Sequence, residues 1–189
     1  MIPMKNKSPT QKNTTMKTRK TLSLAALALF GAVLSAMSAT YTYNTTSGTP
    51  TENWSTGTGW SGTPLSASDT TLTFISPNTT NFATGAAPIS NNDNAGSFQL
   101  NSLNLQGTDP TSGTATLTIQ GGTLQFVNNG LTGPTVNLNA LSSPTTDLTY
   151  NVSSAINLAN NTTFGGAGTA TFNVSGAITG SGNLIKTGT

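Results

Sequence analysis

The acidic side chains are the first residues of this chain that could take part in chemistry. There are five of them, spread along the sequence: Glu52, Asp69, Asp93, Asp109 and Asp147. Acid–base hydrolysis of a glycosidic bond needs two carboxyl groups at a defined separation, whereas isolated aspartates next to turn-forming residues are typical of turns. The chain has no histidine and no cysteine, which removes the usual general base and the commonest metal ligands. We therefore predict no catalytic residue, no metal site and no cofactor.

The two tryptophans are the other candidates. Trp54 lies in an Asn-Trp-Ser segment and Trp60 in a Gly-Trp-Ser-Gly segment, in a region that also holds several tyrosines and phenylalanines. Their aromatic faces suit stacking against sugar rings, so a glycan-binding module is one interpretation. Large aromatic side chains also dominate the packing of protein cores. Sugar contact and core packing both remain open for these two residues.

The N-terminal segment has the pattern of a secretory signal peptide. Six of the seven basic residues lie within the first twenty positions, and an apolar run over residues 22–34 follows them. This run has about 13 residues, fewer than the ~20 that span a bilayer, and small residues come directly after it. We predict a signal peptide helix over residues 1–39, with Met16 as an alternative start and cleavage after Ser38 or Ala39.

Removal of this leader reverses the charge of the chain. The whole sequence has a net charge of +2, but the mature part keeps Lys186 alone against five acids, a formal charge of −4. A basic surface for nucleic acid is therefore not predicted. The leader predicts an exported protein whose partners include the export machinery and signal peptidase.

Short runs of alternating apolar and polar residues fill the mature chain. Leu117-Thr118-Ile119 and Val136-Asn137-Leu138 are two of them, and clusters of Gly, Asn, Pro and Ser separate the runs. Each run is typical of a strand with one buried face, and helical spacing is absent from the sequence after the leader. We predict an all-β mature protein, in which residues such as Ile119 face inward and Thr118 faces outward.

Two all-β architectures fit this pattern, a sandwich with hairpins and a parallel solenoid. Hairpin dipeptides are few, Asn129-Gly130 being the clearest, whereas short strands recur from Leu103 onward. The recurrence favours a solenoid over residues 101–189, with about four rungs ~4.8 Å apart and ladders of Asn or Thr along its axis. Residues 40–100, with both tryptophans, are predicted to form a β region that caps its N-terminal end.

The C-terminal tail carries a more specific motif, Gly-Ala-Ile-Thr-Gly-Ser-Gly-Asn-Leu-Ile-Lys-Thr-Gly-Thr over residues 176–189. This tail resembles the opening of the autotransporter-associated β-strand repeat, also called the passenger-associated transport repeat, in which a Gly-rich turn leads into Leu-x-Lys-x-Gly. The matching residues are Gly180, Gly182, Leu184, Lys186, Thr187 and Gly188. The second half of the repeat falls beyond residue 189, so we expect the sequence to be a fragment. We expect Lys186 to lie on a solvated turn.

The resemblance implies a right-handed parallel β-helix that acts as the passenger of an exported surface protein. In this family a passenger crosses the outer membrane through a translocator, which we expect on a longer chain. The predicted function is structural and non-catalytic, as a stalk or adhesin scaffold at the cell surface, or in the periplasm if the chain ends at Thr189. The alternatives are a surface- or glycan-binding module and, as an enzyme, a relative of the β-helical polysaccharide lyases and hydrolases.

Overall fold

The structure, a computed structural model, describes residues 38–46, 48–75 and 81–188. The predicted signal peptide over residues 1–39 therefore lies outside the described residues, except for Ser38 and Ala39. Ala39 is the first residue of the first strand. Within the described ranges, no helix is long and apolar enough to cross a membrane.

The regular secondary structure of the described residues consists of short strands and one 3₁₀ turn at Trp54–Thr56. In chain order the strands are β1 (Ala39–Tyr43), β2 (Thr51–Asn53), β3 (Thr70–Phe74), β4 (Ile89–Asn92), β5 (Phe98–Leu100), β6 (Ser102–Leu105), β7 (Gly113–Gly121), β8 (Leu124–Phe126), β9 (Thr135–Leu138), β10 (Thr146–Val152), β11 (Ile156–Leu158), β12 (Thr162–Gly165), β13 (Thr171–Val174), β14 (Ile178–Thr179) and β15 (Leu184–Lys186).

These strands form three sheets that make the three faces of a coil. The strand orders are β1-β3-β6-β9-β12-β15 in sheet A, β2-β4-β7-β10-β13 in sheet B, and β5-β8-β11-β14 in sheet C. Neighbouring strands are parallel in every sheet, and successive strands in sequence step from one face to the next. The all-β parallel β-helix prediction is therefore confirmed, and the hairpin sandwich is excluded. Four rungs of sheet A follow residue 101, as the spacing predicted.

Alternation along each strand sorts side chains between the core and the outer face. In β7 the burial alternates residue by residue, with Leu117 and Ile119 fully buried and Thr118 partly exposed. Because each strand stacks in register on its counterpart one coil earlier, inward residues form columns along the axis. One column of sheet A runs through Tyr41, Leu72, Leu103, Val136, Phe164 and Lys186.

Amide and hydroxyl side chains on the outer faces form the predicted ladders. On sheet A the Asn137 Nδ2 donates to Asn104 Oδ1 over 2.6 Å, and Asn104 Nδ2 donates to Thr73 Oγ1 over 3.1 Å. On sheet B the Asn173 Nδ2 donates to Asn151 Oδ1 over 3.0 Å. These contacts join successive coils side chain to side chain, in addition to the backbone pairing of the strands.

The coils shorten towards the C-terminal end. The Asn104–Thr73 and Asn137–Asn104 ladders join residues 31 and 33 positions apart, whereas the Asn173–Asn151 ladder spans 22 positions. Part of this shortening lies in the turn after β12, where Gly166 has a φ of 142°. A Cβ atom at Gly166 would collide with the carbonyl oxygen of Leu138, so only glycine allows this close approach.

Residues 57–67 lie across the N-terminal end of the stack. Trp60 forms an antiparallel bridge with Tyr43 on the free edge of β1, and the Ser61 N–H donates to the Thr42 carbonyl over 2.8 Å. On the free edge of β5, the Ala67 N–H donates to the Gln99 carbonyl over 3.1 Å. We call residues 57–67 the N-terminal lid, because they pair with two strand edges that would otherwise be open.

Tyr150 crosses the interior and joins several coils. Its buried hydroxyl donates to the carbonyl oxygens of Gln106 and Phe74, and its ring stacks on Phe172 with the two centroids 5.9 Å apart. Burial raises the pKa of the Tyr150 hydroxyl, which keeps the group protonated and able to donate. The residue is thus a hydrogen-bonded core residue.

Candidate functional site

Both tryptophans lie in the core: Trp60 belongs to the N-terminal lid, and Trp54 packs beneath it. Trp54 is 0% exposed and Trp60 is 8% exposed. Trp54 packs edge-on against Phe98, with ring centroids 4.9 Å apart, and against Trp60 at 5.4 Å. Trp60 also packs edge-on against Phe74 at 5.1 Å. A sugar ring has no free aromatic face to stack on in this arrangement, and both residues occupy the positions of packing anchors.

The polar atom of Trp54 is also engaged inside the protein. Its Nε1–H donates to the Ser90 hydroxyl oxygen over 2.8 Å, in a fully buried contact. Buried indole N–H groups usually find such a partner. Ser90 lies on β4, so this bond fixes the ring of Trp54 against the next coil and occupies the indole N–H of Trp54.

Three buried polar atoms lack a hydrogen-bond partner among the described residues: the Tyr43 hydroxyl, Trp60 Nε1 and Ser154 Oγ. Burial raises the pKa of Tyr43, and the neighbouring Glu52 carboxyl raises it further. The Glu52 carboxylate accepts a hydrogen bond from the Thr45 hydroxyl over 2.7 Å. A phenol held neutral in this way is not a nucleophile at physiological pH, so these groups do not form a reactive pair. No local sequence pattern indicates these unpartnered groups, because polar atoms of buried tyrosine and tryptophan usually find partners.

Two of the five acids brace neighbouring turns. Asp93 accepts hydrogen bonds from the Ser55 hydroxyl over 2.5 Å and from the Ser55 N–H over 2.9 Å, and these bonds lower the pKa of its carboxyl. Asp109 accepts from the Thr146 hydroxyl and from the Ser143 N–H, the latter over 2.7 Å. These bonds, that of Thr146 foremost, lower the pKa of the Asp109 carboxyl. A carboxyl with a lowered pKa is ionised at neutral pH and is a poor general acid.

We expect the Asp109 brace to weaken in acid. A carboxyl whose pKa is lower in the folded chain than in the unfolded chain stabilises the fold above its unfolded pKa, about 3.9. That contribution disappears as the pH falls through the lower, folded value. Asp109→Ala should therefore lower the free energy of unfolding by about 1 kcal/mol at pH 7, since the group is largely solvated. The loss should shrink towards pH 2.

Urea denaturation of wild type and Asp109→Ala at pH 7 and pH 2 measures this difference. Asp147→Ala is the matched control, because Asp147 is exposed on the outer face of β10. A loss of stability at Asp109 that is equal at both pH values would show that the ionised carboxylate is not what holds the turn.

The remaining acids do not gather into a site. Asp69 lies in the turn before β3 and Asp147 on the outer face of sheet B, while Glu52 lies on β2 beside the N-terminal lid. Across residues 38–46, 48–75 and 81–188, no group of three acidic side chains is close enough to hold a metal ion. Of these three carboxylates, that of Glu52 accepts a hydrogen bond from the Thr45 hydroxyl.

The motif residues of the tail form the last turns of the coil and its last strand. Gly180 has a φ of 117° and, like Gly182, lies where a Cβ atom would collide with a carbonyl of the preceding coil. Gly188 also has a positive φ. Leu184 and Lys186 lie on β15 with their side chains in inward columns, and Thr187 follows that strand.

Lys186 was expected on a solvated turn, and this prediction is wrong in one respect. The residue is exposed, but it lies in a strand that pairs with β12, opposite Phe164. The ammonium group bends away from the column and donates to the carbonyl oxygens of Thr187, over 2.8 Å, and Gly188, over 3.4 Å. The alternation of Leu184, Ile185 and Lys186 fits a strand with Leu184 and Lys186 on one face. The glycines on both sides of this segment are typical of turns, and for that reason the sequence predicted a turn.

Two shallow hollows interrupt the surface of the coil. One, of about 350 Å³, lies at a corner and is lined by Asn128, Leu131, Gly133, Ala159, Asn160, Asn161, Ser181 and Gly182. The other, of about 300 Å³, lies beside the shortened turn and is lined by Leu138, Gly165, Gly166, Gly168, Ala170, Phe172 and Lys186. Neither hollow is lined by a pair of ionisable groups, which general acid–base catalysis requires.

Comparison with known protein families, curated proteins and solved structures finds no match to this chain.

Proposed function

We propose that the chain is a structural, non-catalytic β-helical segment of an exported, autotransporter-like surface protein, serving as a stalk or adhesin scaffold. The observation that carries the proposal is the position of the family-like motif. Its glycines and its Leu-x-Lys strand form the last turns and the last strand of the terminal coil, where hydrogen-bonded partners in successive coils are 22 residues apart, both on sheet B and at the corner before β15. A motif that builds one such coil is what a repeating stalk requires.

The stacking pattern also suits a scaffold. Each coil contacts its neighbours through three parallel strands and a continuous apolar core, so added coils lengthen the rod by ~4.8 Å each. Such coils can fold one after another as the chain emerges from a membrane, which would help to draw the passenger outward. The described carboxylates bond to turns or lie on outer faces, which supports a non-catalytic role.

Export and surface exposure can be tested together in the cells that make the protein. An antibody against the described region should label intact cells, and added protease should remove that label. N-terminal sequencing of the product should begin at Ala39 or Thr40. Replacement of Leu27 with arginine interrupts the apolar run and should leave an unprocessed precursor inside the cell. Thr18→Arg, which lies before the run and after both possible start residues, should be processed normally.

Two results would contradict the proposal. Normal processing of Leu27→Arg, or a wild-type product found only inside the cell with its leader intact, would remove the evidence for export. A processed product that protease cannot reach in intact cells would contradict the surface role while leaving export in place.

A further inference from the structure

The hairpin dipeptide Asn129-Gly130 lies in the loop between β8 and β9, where it forms a tight turn. The Asn129 N–H donates to the Thr132 carbonyl over 3.0 Å, and the Thr132 N–H donates to the Asn129 carbonyl over 2.9 Å. Gly130 and Leu131 are the two central residues of this turn. Both are exposed, Leu131 completely, so solvent reaches the peptide unit that joins Asn129 to Gly130.

The backbone nitrogen of Gly130 is not engaged by the fold. The two hydrogen bonds of the turn use the N–H groups of Asn129 and Thr132, and no described residue accepts a hydrogen bond from the Gly130 N–H. Gly130 has a φ of 58°, which glycine adopts without strain. Because glycine has no Cβ atom, nothing on this residue hinders its nitrogen from approaching the side chain before it.

The side chain of Asn129 is equally unengaged. It is partly exposed, and its amide group forms no hydrogen bond with any residue that the structure describes, whereas the neighbouring Asn128 N–H donates to Asn160 Oδ1 over 2.9 Å. Asparagine is a thermolabile residue, because the next backbone nitrogen can attack its side-chain carbonyl carbon. Asn129 is the one asparagine in the sequence that a glycine follows.

The asparagines of the ladders differ on both points. The Asn137 Nδ2 donates to Asn104 Oδ1 over 2.6 Å, so both side chains are held across the face of sheet A. The residues that follow them, Leu105 and Leu138, are opposite each other in paired strands, where a leucine side chain hinders attack and the backbone is held extended. The fold therefore restrains these asparagines and leaves Asn129 unrestrained.

We propose that Asn129 is a site of spontaneous deamidation in the folded protein. The Gly130 nitrogen bonds to the side-chain carbonyl carbon of Asn129, the carbon–nitrogen bond of the side-chain amide breaks, and the Gly130 proton leaves with the departing nitrogen as ammonia. Water then opens the resulting cyclic imide at either carbonyl, which gives aspartate or isoaspartate. The net change replaces an NH₂ group with an OH group that ionises at neutral pH, and it consumes only water.

The conversion changes the charge and the geometry of this corner. Asn128 and Leu131, on either side of the dipeptide, line the larger surface hollow, whose other polar side chains are the neutral groups of Asn160, Asn161 and Ser181. A carboxylate at position 129 places a negative charge beside them. Isoaspartate also adds a carbon atom to the backbone inside the turn, which disturbs its two hydrogen bonds. Older molecules should therefore be more acidic here than newly made ones.

Peptide mapping by mass spectrometry over a time course at pH 7 tests the proposal on the purified chain. Cleavage after aromatic residues releases residues 127–150 as one fragment, because Phe126 and Tyr150 bound a stretch without further aromatics. The mass of this fragment should rise with time by the difference between NH₂ and OH, and fragmentation should place the change at Asn129. The other asparagines of the fragment are internal controls that should stay unchanged: Asn128, Asn137 and Asn139.

Gly130→Asp is the informative variant. Aspartate tolerates the left-handed conformation but brings a Cβ atom next to the attacking nitrogen, and the position has open space around it. The rate at Asn129 should fall by about tenfold or more, which corresponds to a barrier about 1.4 kcal/mol higher. Gly133→Asp is the matched control, since it adds the same charge to the same loop at a glycine that no asparagine precedes, and it should convert like wild type.

Four results overturn the proposal. They are a fragment whose mass does not change, conversion at Asn128, Asn137 or Asn139 as fast as at Asn129, an unchanged rate in Gly130→Asp, and an equal slowing in Gly133→Asp. Conversion of Asn129 in urea but not in buffer overturns it as well, because the folded turn would then protect the site.

Discussion

Ile119→Asp is expected to leave most of the chain unfolded, whereas Thr118→Asp, one residue earlier in the same strand, is expected to leave it folded. Ile119 is 0% exposed and lies in an inward column between Ser90 and Val152. The one hydroxyl in that column, on Ser90, already accepts the hydrogen bond of the Trp54 indole. A carboxylate at position 119 would therefore be buried without an adequate partner.

The magnitude decides the outcome. A buried charge without a partner costs about 3–5 kcal/mol, and the lost packing of the isoleucine side chain adds about 2–5 kcal/mol. Together these costs are comparable with the whole stability of a single domain, about 5–15 kcal/mol. Thr118 is partly exposed on the outer face, where an added carboxylate stays hydrated and should change the free energy of unfolding by about 0.5 kcal/mol or less.

Urea denaturation followed by circular dichroism measures both variants against wild type. Thr118→Asn, which adds no charge, separates the effect of charge on the outer face from that of side-chain shape. Similar losses of stability in Ile119→Asp and Thr118→Asp would mean that strand β7 does not alternate between core and surface as described.

Trp54→Ala is expected to lower the free energy of unfolding by about 3–5 kcal/mol. The ring is fully buried and contacts Phe98 and Trp60 edge-on, so its removal leaves a large cavity beneath the N-terminal lid. The Ser90 hydroxyl also loses the indole N–H that it accepts.

Ser90→Ala isolates the hydrogen bond from the packing. This variant keeps the ring but leaves its buried N–H without a partner, at a cost of about 1–3 kcal/mol. We expect the loss in Ser90→Ala to be clearly smaller than that in Trp54→Ala, measured without any sugar present. If Trp54→Ala were as stable as wild type, the ring would not be the anchor described here, and a role in ligand contact would again need consideration.

Much of the fold could be predicted from the sequence, because the alternation of apolar and polar residues is a local property. The pattern of Leu117, Thr118 and Ile119 determines both a strand and its buried face without any knowledge of its neighbours. The preference for parallel stacking over hairpins came from the scarcity of tight hairpin turns. Ladders of asparagine or threonine were predicted without their members, such as Asn104 and Asn137, because equivalent residues in stacked coils must lie one strand spacing apart.

The candidate site was harder to predict from the sequence, because the burial of residues at the end of a stack depends on pairing between residues far apart in sequence. Nothing close to Trp60 in sequence shows that it bridges Tyr43 and packs edge-on against Trp54. Lys186 was misplaced for a related reason, since its position opposite Phe164 follows from a register set 22 residues earlier. The shortening of the coils likewise depends on a contact between Gly166 and Leu138, which no local pattern reveals.

The ladders on the outer faces have a consequence for the conditions that this rod tolerates. Their members are neutral amides and hydroxyls, such as Asn137 with Asn104 and Asn173 with Asn151. Dissolved ions screen attraction between exposed charges within a Debye length, about 8 Å at physiological ionic strength, but they have no charge to screen in these contacts. Cohesion between coils should therefore be nearly the same in dilute buffer and in brine, so the rod would keep its shape wherever the salinity around it changes.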